Sequence, residues 1–335
     1  MKKTLLATAV ALAAASSAQA ATVYNEDGTT LDVYGNVQIG YRNIKDDAGD
    51  SRDDLFDNGT TFGFAAQHQI TNDVIGYMKL EIDDIDATEM KTGPRQDGGD
   101  QAYIGVKGNF GDFRIGSFDT VMDDWIQDPL TNNEYFDATD SNGFANGNKS
   151  GSAETDQIRY MSPVMGGVQL ALGMNYKGDA ESENSTNSSE QTFYGGVKYA
   201  VGAFSVAAVY DTLGIQDDET DIVTGDDLGD RYGVNAQYTI NALRLSAKYE
   251  VFDAEASNSD VTYAGIGARY GYGMGDVYGA YQNVDDDSVD DKRNEFIVGG
   301  TYNISDAMYT WAEIAKRDRD EDAGDGFGVG VTYMF

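Results

Sequence analysis

The chain has no cysteine, three prolines and one histidine in 335 residues. Without cysteine, disulfide frameworks, thiolate metal centres and thiol catalysis are excluded. The lone histidine, His68, falls beside a tight turn on the outward parity of its segment, which leaves almost nothing for imidazole acid–base chemistry. An enzyme is therefore not expected, and neither is a cofactor. Also missing, beyond the first twenty residues, is any apolar run near the roughly eighteen residues that a membrane-spanning helix needs. Positive charge is scarce: 23 Lys and Arg stand against 57 Asp and Glu, a formal net charge of −34. Such acidity argues against nucleic acid as a partner.

The first twenty residues read as a secretory leader. Met1-Lys2-Lys3 is a positive start, Leu5 to Ala15 an apolar stretch too short to span a bilayer, and Ala18-Gln19-Ala20 an A-x-A cleavage pattern. Cleavage after Ala20 would leave 21–335 as one mature unit and take the charge from −34 to −36.

What is abundant is glycine (40), tyrosine (22) and phenylalanine (14), a composition of strands rather than helices. The last ten residues, Gly326 to Phe335, place Phe327, Val329, Val331, Tyr333 and Phe335 on one parity and small or polar residues on the other. A period of two is the mark of a strand. Leu31 to Ile44, Thr60 to Ile70 and Val74 to Asp86 alternate in the same way. The rhythm predicts further strands near 99–110, 111–119, 155–162, 167–177, 190–200, 203–213, 231–240, 242–252, 261–270, 276–284, 294–303, 307–316 and 326–335, sixteen in all.

The connections alternate strictly between long, polar gaps (45–59, 87–98, 120–154, 178–189, 214–230, 253–260, 285–293, 317–325) and short turns. One end of a barrel facing outside and the other carrying tight turns would produce that alternation. A soluble sandwich would bury branched aliphatics on the apolar face. Here that face carries Tyr, Phe, Gly and Ala, with Tyr41, Tyr176, Tyr199, Tyr210, Tyr238, Tyr270 and Tyr302 near strand ends, as in an interfacial aromatic girdle. A low mean hydropathy does not oppose this, because alternation hides the lipid-facing residues. The expected class is all-β: a transmembrane antiparallel barrel with long extracellular loops and short periplasmic turns.

Four segments carry a family resemblance: LDVYGNVQIGYR, GDFRIGSFDT leading into a long third loop, IRYMSPVMGGVQLALGMNY, and the terminal GVGVTYMF. In their order and spacing the mature chain resembles the general diffusion porins of Gram-negative outer membranes. The resemblance implies a sixteen-stranded homotrimer whose third loop folds into the lumen and narrows it. It also implies passive diffusion of ions and small hydrophilic solutes, and an assembly signal at Tyr333 and Phe335 read by the barrel-assembly machinery.

By the same resemblance, Asp123, Asp124, Asp128, Glu134 and Asp137 of the third loop form one wall of the constriction; read alone, they are a solvated acidic loop. For the opposing basic wall, lumen parity nominates Arg42, Lys79, Arg159, Arg244 and Lys248, together with Lys198, Arg231 and Arg269. A cation facing mid-bilayer would cost about 2–4 kcal/mol, so the lumen is the cheaper place. Where family members carry basic residues this chain has Asn36, Thr61 and Asp100, with Lys79 and Arg114 as substitutes. The thinned basic wall predicts a moderate cation preference. A sugar-selective channel is the alternative, and it needs a lumenal ladder of aromatics, whereas Tyr34, Tyr77, Tyr194 and Tyr263 fall on non-adjacent strands. Acidic runs at 285–291 and 318–325 lack EF-hand spacing and read as solvated loops rather than metal sites. Divalent ions bridging them to lipopolysaccharide remain a further expectation for the lipid partner. Neither GYGMG (271–275) nor GFGVG (326–330) opens a helix, so no phosphate loop is predicted.

Overall fold

In a computed structural model, the described residues are 20–89, 91–92, 101–131, 133–141, 156–178, 189–213, 229–254, 259–287 and 291–335. Residues 1–19, which fall in the expected leader, and Asp100 lie outside them. The strands are β1 (Ala21–Glu26), β2 (Thr29–Lys45), β3 (Ser51–Asp57), β4 (Thr60–Thr71), β5 (Val74–Asp86), β6 (Lys91–Thr92), β7 (Ala102–Gly108), β8 (Gly111–Ser117), β9 (Gln157–Met161) and β10 (Val168–Lys177). They continue as β11 (Glu190–Val201), β12 (Phe204–Thr212), β13 (Asp230–Ile240), β14 (Leu243–Ala254), β15 (Ser259–Gly271), β16 (Asp276–Asp286), β17 (Asp291–Ser305), β18 (Met308–Lys316) and β19 (Gly326–Met334).

Every pairing is antiparallel, and β19 closes the sheet against β2 from Gly326↔Ile44 to Met334↔Asn36. The closed ring has sixteen staves, because three of the strands are partial. β3 and β4 share one stave, with β3 on the outer half of β2 and β4 on its inner half. β6 is a short flap on β5. β1 lies in the row of β19: Ala21 faces Val33 of β2, while Phe335 exchanges backbone hydrogen bonds of 2.9 and 3.0 Å with Gly35.

Two features depart from the sequence expectation. The gap expected over 45–59 holds strand β3, whose SRDDLFD segment is charged on both faces and so shows no alternation. The β1 hairpin was also not foreseen; it turns through Asp27 and Gly28, both at positive φ (50° and 74°).

The outer surface carries Ile104 (64% exposed), Leu172 (62%), Val298 (63%) and Ile314 (65%). In water a continuous apolar skin of this kind would be an aggregation surface; against acyl chains it is solvated. Tyrosines border it, with Tyr210 and Tyr232 stacked at 6.5 Å on neighbouring strands.

Candidate pore constriction

After β8 the chain leaves the wall and enters the lumen. Asp123–Gln127 forms a π-helical turn and Asp128–Thr131 an α-helical turn, and one face of this segment is apolar. Trp125, Ile126 and Leu130 are buried against the inner wall. The wall receives them at glycines. A Cβ on Gly196 would sit 3.0 Å from Trp125, one on Gly233 2.6 Å from Ile126, and one on Gly265 2.6 Å from Leu130. β11, β13 and β15 thus each offer a missing side chain where the loop presses closest. Burying such a keel contributes roughly 1.5–3 kcal/mol per large side chain.

Three wall carboxylates hold the rest of the loop, and sequence reasoning missed all of them. Glu313 of β18 accepts the backbone N–H groups of Glu134, Tyr135 and Phe136 at 2.7, 3.0 and 2.7 Å, and the Tyr278 hydroxyl at 2.5 Å. Glu295 of β17 accepts the Thr139 N–H at 2.8 Å and its hydroxyl at 2.5 Å. Glu250 of β14 accepts the Gln127 amide at 2.7 Å and the Ser141 N–H at 3.1 Å. Glu250, Glu295 and Glu313 are 0%, 1% and 2% exposed. Buried carboxylates are tolerated where hydrogen bonds replace their water, and backbone amides supply that here.

The loop tip reaches the far seam. Tyr135 packs on Phe56 at 4.7 Å, stacks on Trp311 at 6.1 Å, and accepts a hydrogen bond of 2.9 Å from Arg42 through its hydroxyl. Contacts of the loop therefore run from β8 round to β2 and β3. Among the described residues, no hydrogen bond or ring contact joins the loop to β4 or β5, which leaves that stretch of wall uncovered, and β7 meets the loop at its root, where Tyr103 packs on Phe118.

The nominated residues divide accordingly. Asp128 and Asp137 are exposed to the lumen, and Asp124 is half-buried with its carboxylate 3.6 Å from Arg159. Glu134 sits 3.7 Å from Arg269 and accepts the Tyr309 hydroxyl at 2.9 Å. Asp123 does not face the aperture: it is buried and accepts the Thr120 N–H and hydroxyl at 3.0 and 2.5 Å. On the basic side, Lys79 stands on the uncovered wall, 3.1 Å from Glu81. Arg42 pairs with Asp54 at 3.2 Å and lies over Phe56. Arg159 is buried over Phe118. Lys248 faces inward but is covered by the loop, its side chain 0% exposed and 3.0 Å from Glu250, so it belongs to the anchorage and not to the open wall. Arg244 lines a cleft under the loop. Arg114, whose facing the alternation left open, points inward, 4.6 Å over Tyr103 and 3.8 Å from Asp112. Asn36 and Thr61 are direct cross-strand partners on β2 and β4.

Inward aromatics also prove less scattered than parity implied. Tyr77 and Tyr103, on neighbouring β5 and β7, meet edge to face at 6.1 Å, and Tyr103 meets Phe118 at 5.6 Å. The expectation went wrong because it omitted Tyr103 and Phe118.

Enclosure and mutual repulsion set the loop's titration. Burial within the barrel, then repulsion from Asp123, Asp124, Asp119 and Asp137, raises the Asp128 carboxyl above its ordinary range. Burial with Glu313 and Asp140 raises Asp137 in the same direction. Asp124 is raised by burial despite Arg159.

A closed barrel with a lipid-facing skin and a charged lumen, narrowed by an anchored loop, defines an outer-membrane channel. A sequence model of the Gram-negative porin family matches residues 7–323, and the chain belongs to that family. It is a channel and not an enzyme. A monosaccharide porin of a Halomonas species is 55% identical over 367 aligned positions, covering 100% of both chains. Among solved structures, an anion-selective porin from Comamonas acidovorans is similar with a TM-score of 0.75 at 19% identity, over 92% of this chain and 100% of its own. The trimer form of OmpT from Vibrio cholerae is similar with a TM-score of 0.67 at 17% identity, over 92% and 100%. At these identities the structural likeness speaks for the fold alone.

Proposed function

We propose that this porin is a water-filled channel for passive diffusion of ions and small hydrophilic solutes, with a moderate preference for cations. The observation that carries the preference is an imbalance of pairing. Asp128 and Asp137 open onto the lumen, and among the described residues no cationic group lies within 4 Å of either carboxylate. Of the nominated cations, Arg42, Lys79, Arg159, Arg231, Lys248 and Arg269 each lie within 4 Å of a carboxylate, by contrast, while among the described residues Arg244 and Lys198 do not and keep the preference moderate. Neutral Asn36 and Thr61 add no positive charge to the uncovered wall. A low-dielectric wall focuses the field of the unmatched carboxylates into the aperture, whereas loop charges at the mouth are screened beyond about 8–10 Å. The homotrimer, cleavage of residues 1–20, assembly through Tyr333 and Phe335 by the barrel-assembly machinery, and contact with lipopolysaccharide belong to the same reading. The OmpT trimer supports the oligomer. Reversal potential across a KCl gradient tests the preference, and a clear anion preference would overturn it.

A second reading, a sugar-preferring channel, is favoured by the Tyr77–Tyr103–Phe118 row beside Arg114 and by the relative named a monosaccharide porin. Aromatic faces next to hydrogen-bonding groups suit pyranose rings. Millimolar monosaccharide that blocks potassium current in the wild type, with relief in Tyr103→Ala, would favour this reading over simple diffusion.

A further inference from the structure

Four polar side chains form one bonded row from the uncovered wall to the root of the third loop. Lys79 and Glu81 of β5 pair at 3.1 Å, with side chains only 20% and 18% exposed. The Lys79 ammonium also donates to Gln101 Oε1 at 3.0 Å, and Gln101 Nε2 donates to the Asp119 carboxylate at 2.5 Å. Gln101 immediately precedes β7, and its carbonyl accepts the Glu81 N–H at 2.8 Å. Asp119 follows β8 and is exposed. Arg159 donates at 3.1 Å to the backbone carbonyl of Asp119, while its charge pairs with Asp124 at 3.6 Å. Among the described residues, no cationic group lies within 4 Å of the Asp119 carboxylate.

We propose that Gln101 is a specificity-determining residue of the channel: its amide keeps Lys79 on Glu81 and off Asp119, which leaves Asp119 as an unmatched carboxylate favouring cations. The proposal deepens the cation-preferring reading and rests on it. An ammonium only donates and a carboxylate only accepts, so the amide must turn its oxygen to Lys79 and its nitrogen to Asp119. A carboxylate at this position would repel Asp119, and an apolar side chain would serve neither neighbour. The amide is neutral and carries both functions at one end. With both engaged, it occupies the gap that Lys79 would have to cross to reach Asp119. Once the amide is removed, the flexible four-carbon stem of Lys79 lets the ammonium move onto Asp119. The unmatched negative charge then passes from an exposed group to the recessed Glu81, where a passing ion meets it less directly. Gln101 thus sets selectivity without carrying charge, by deciding which of two carboxylates the wall's ammonium covers.

The test uses the folded full-length porin in planar bilayers, with potassium over chloride permeability read from the KCl reversal potential. Asp119→Asn should lower that ratio by about twofold, the scale on which one unit charge acts on an ion across roughly 10 Å of water. Gln101→Leu, similar in size but unable to hydrogen-bond, should lower it in the same direction. In a Lys79→Met background Gln101→Leu should change nothing, because no ammonium is left to move. A merely structural role for Gln101 would leave its effect intact in that background, as independent sites do. An Asp119→Asn channel with the wild-type ratio would overturn the proposal. So would a Gln101→Leu channel with the wild-type ratio, or a Gln101→Leu effect that persists with Lys79→Met. The wild-type potential alone tests the underlying cation preference, whereas the shifts between variants test Gln101.

Discussion

Glu313 accepts the backbone N–H of Phe136 at 2.7 Å, from a strand that is 177 residues away along the chain. With the two preceding N–H groups it forms a three-amide cradle that fixes the loop tip. Glu313→Ala would leave these donors without their acceptor, and a buried orphan donor costs about 1–3 kcal/mol. The barrel should still assemble, since strand pairing is untouched. Single-channel current should become noisier, and protease should cut within 133–141 where the wild type resists. Unchanged noise and unchanged resistance would refute the anchoring role.

The glycine seats lead to a second prediction. Val at position 233 or 265 would collide with Ile126 or Leu130 and cost about 1–3 kcal/mol by overpacking. Either variant should lower the temperature at which the oligomer dissociates in detergent and displace the loop enough to alter conductance. If Gly265→Val had wild-type conductance and thermal resistance, the loop would not rest where we place it.

Acidification should weaken the cation preference early. The Asp128 and Asp137 carboxyls are raised, so they gain protons above the ordinary carboxylate range as pH falls. The sign for stability is the reverse of that for a salt-bridged Asp. Ionised, these groups repel one another in the folded state, and protonation on lowering the pH relieves that repulsion. The KCl reversal potential should therefore move toward zero before the barrel weakens. Asp128→Asn, Glu134→Gln and Asp137→Asn together should reproduce the shift at neutral pH and reduce its pH dependence to what Asp124 leaves. A triple variant with wild-type selectivity would sink the assignment.

The barrel was legible because alternation survives in nearly every stave: Leu243–Ala254 and Asp276–Asp286 needed only parity to be read. β3 escaped because Arg52, Asp53 and Asp54 place charge on both faces. The anchors Glu250, Glu295 and Glu313 share their parity with every other lumenal polar residue, so nothing local distinguishes a carboxylate that meets backbone amides from one that meets water. The same limit explains Lys248. Parity sends it inward, but only the path of the loop decides that it is covered. That path depends on Gly196, Gly233 and Gly265, whose spacing across three strands has no signature along the chain.

Phe335 should be needed for assembly rather than conduction. It exchanges two backbone hydrogen bonds with Gly35, and its ring lies 6.4 Å from Phe62. Deleting it should leave exported chain that fails to reach the outer membrane as heat-modifiable oligomer. Normal yield of such oligomer would refute this.

β1 and β19 share one row along β2, with Ala21 opposite Val33 and Phe335 opposite Gly35, so a single row position separates the two. Both run in the same direction there. With residues 1–20 removed, as proposed, a one- or two-residue bridge between Phe335 and Ala21 would close the chain on itself and allow new ends to be opened in an outer loop. The same geometry bears on tagging: a tag that continued in register from Phe335 would run into the row position of Ala21 and compete with β1 for β2.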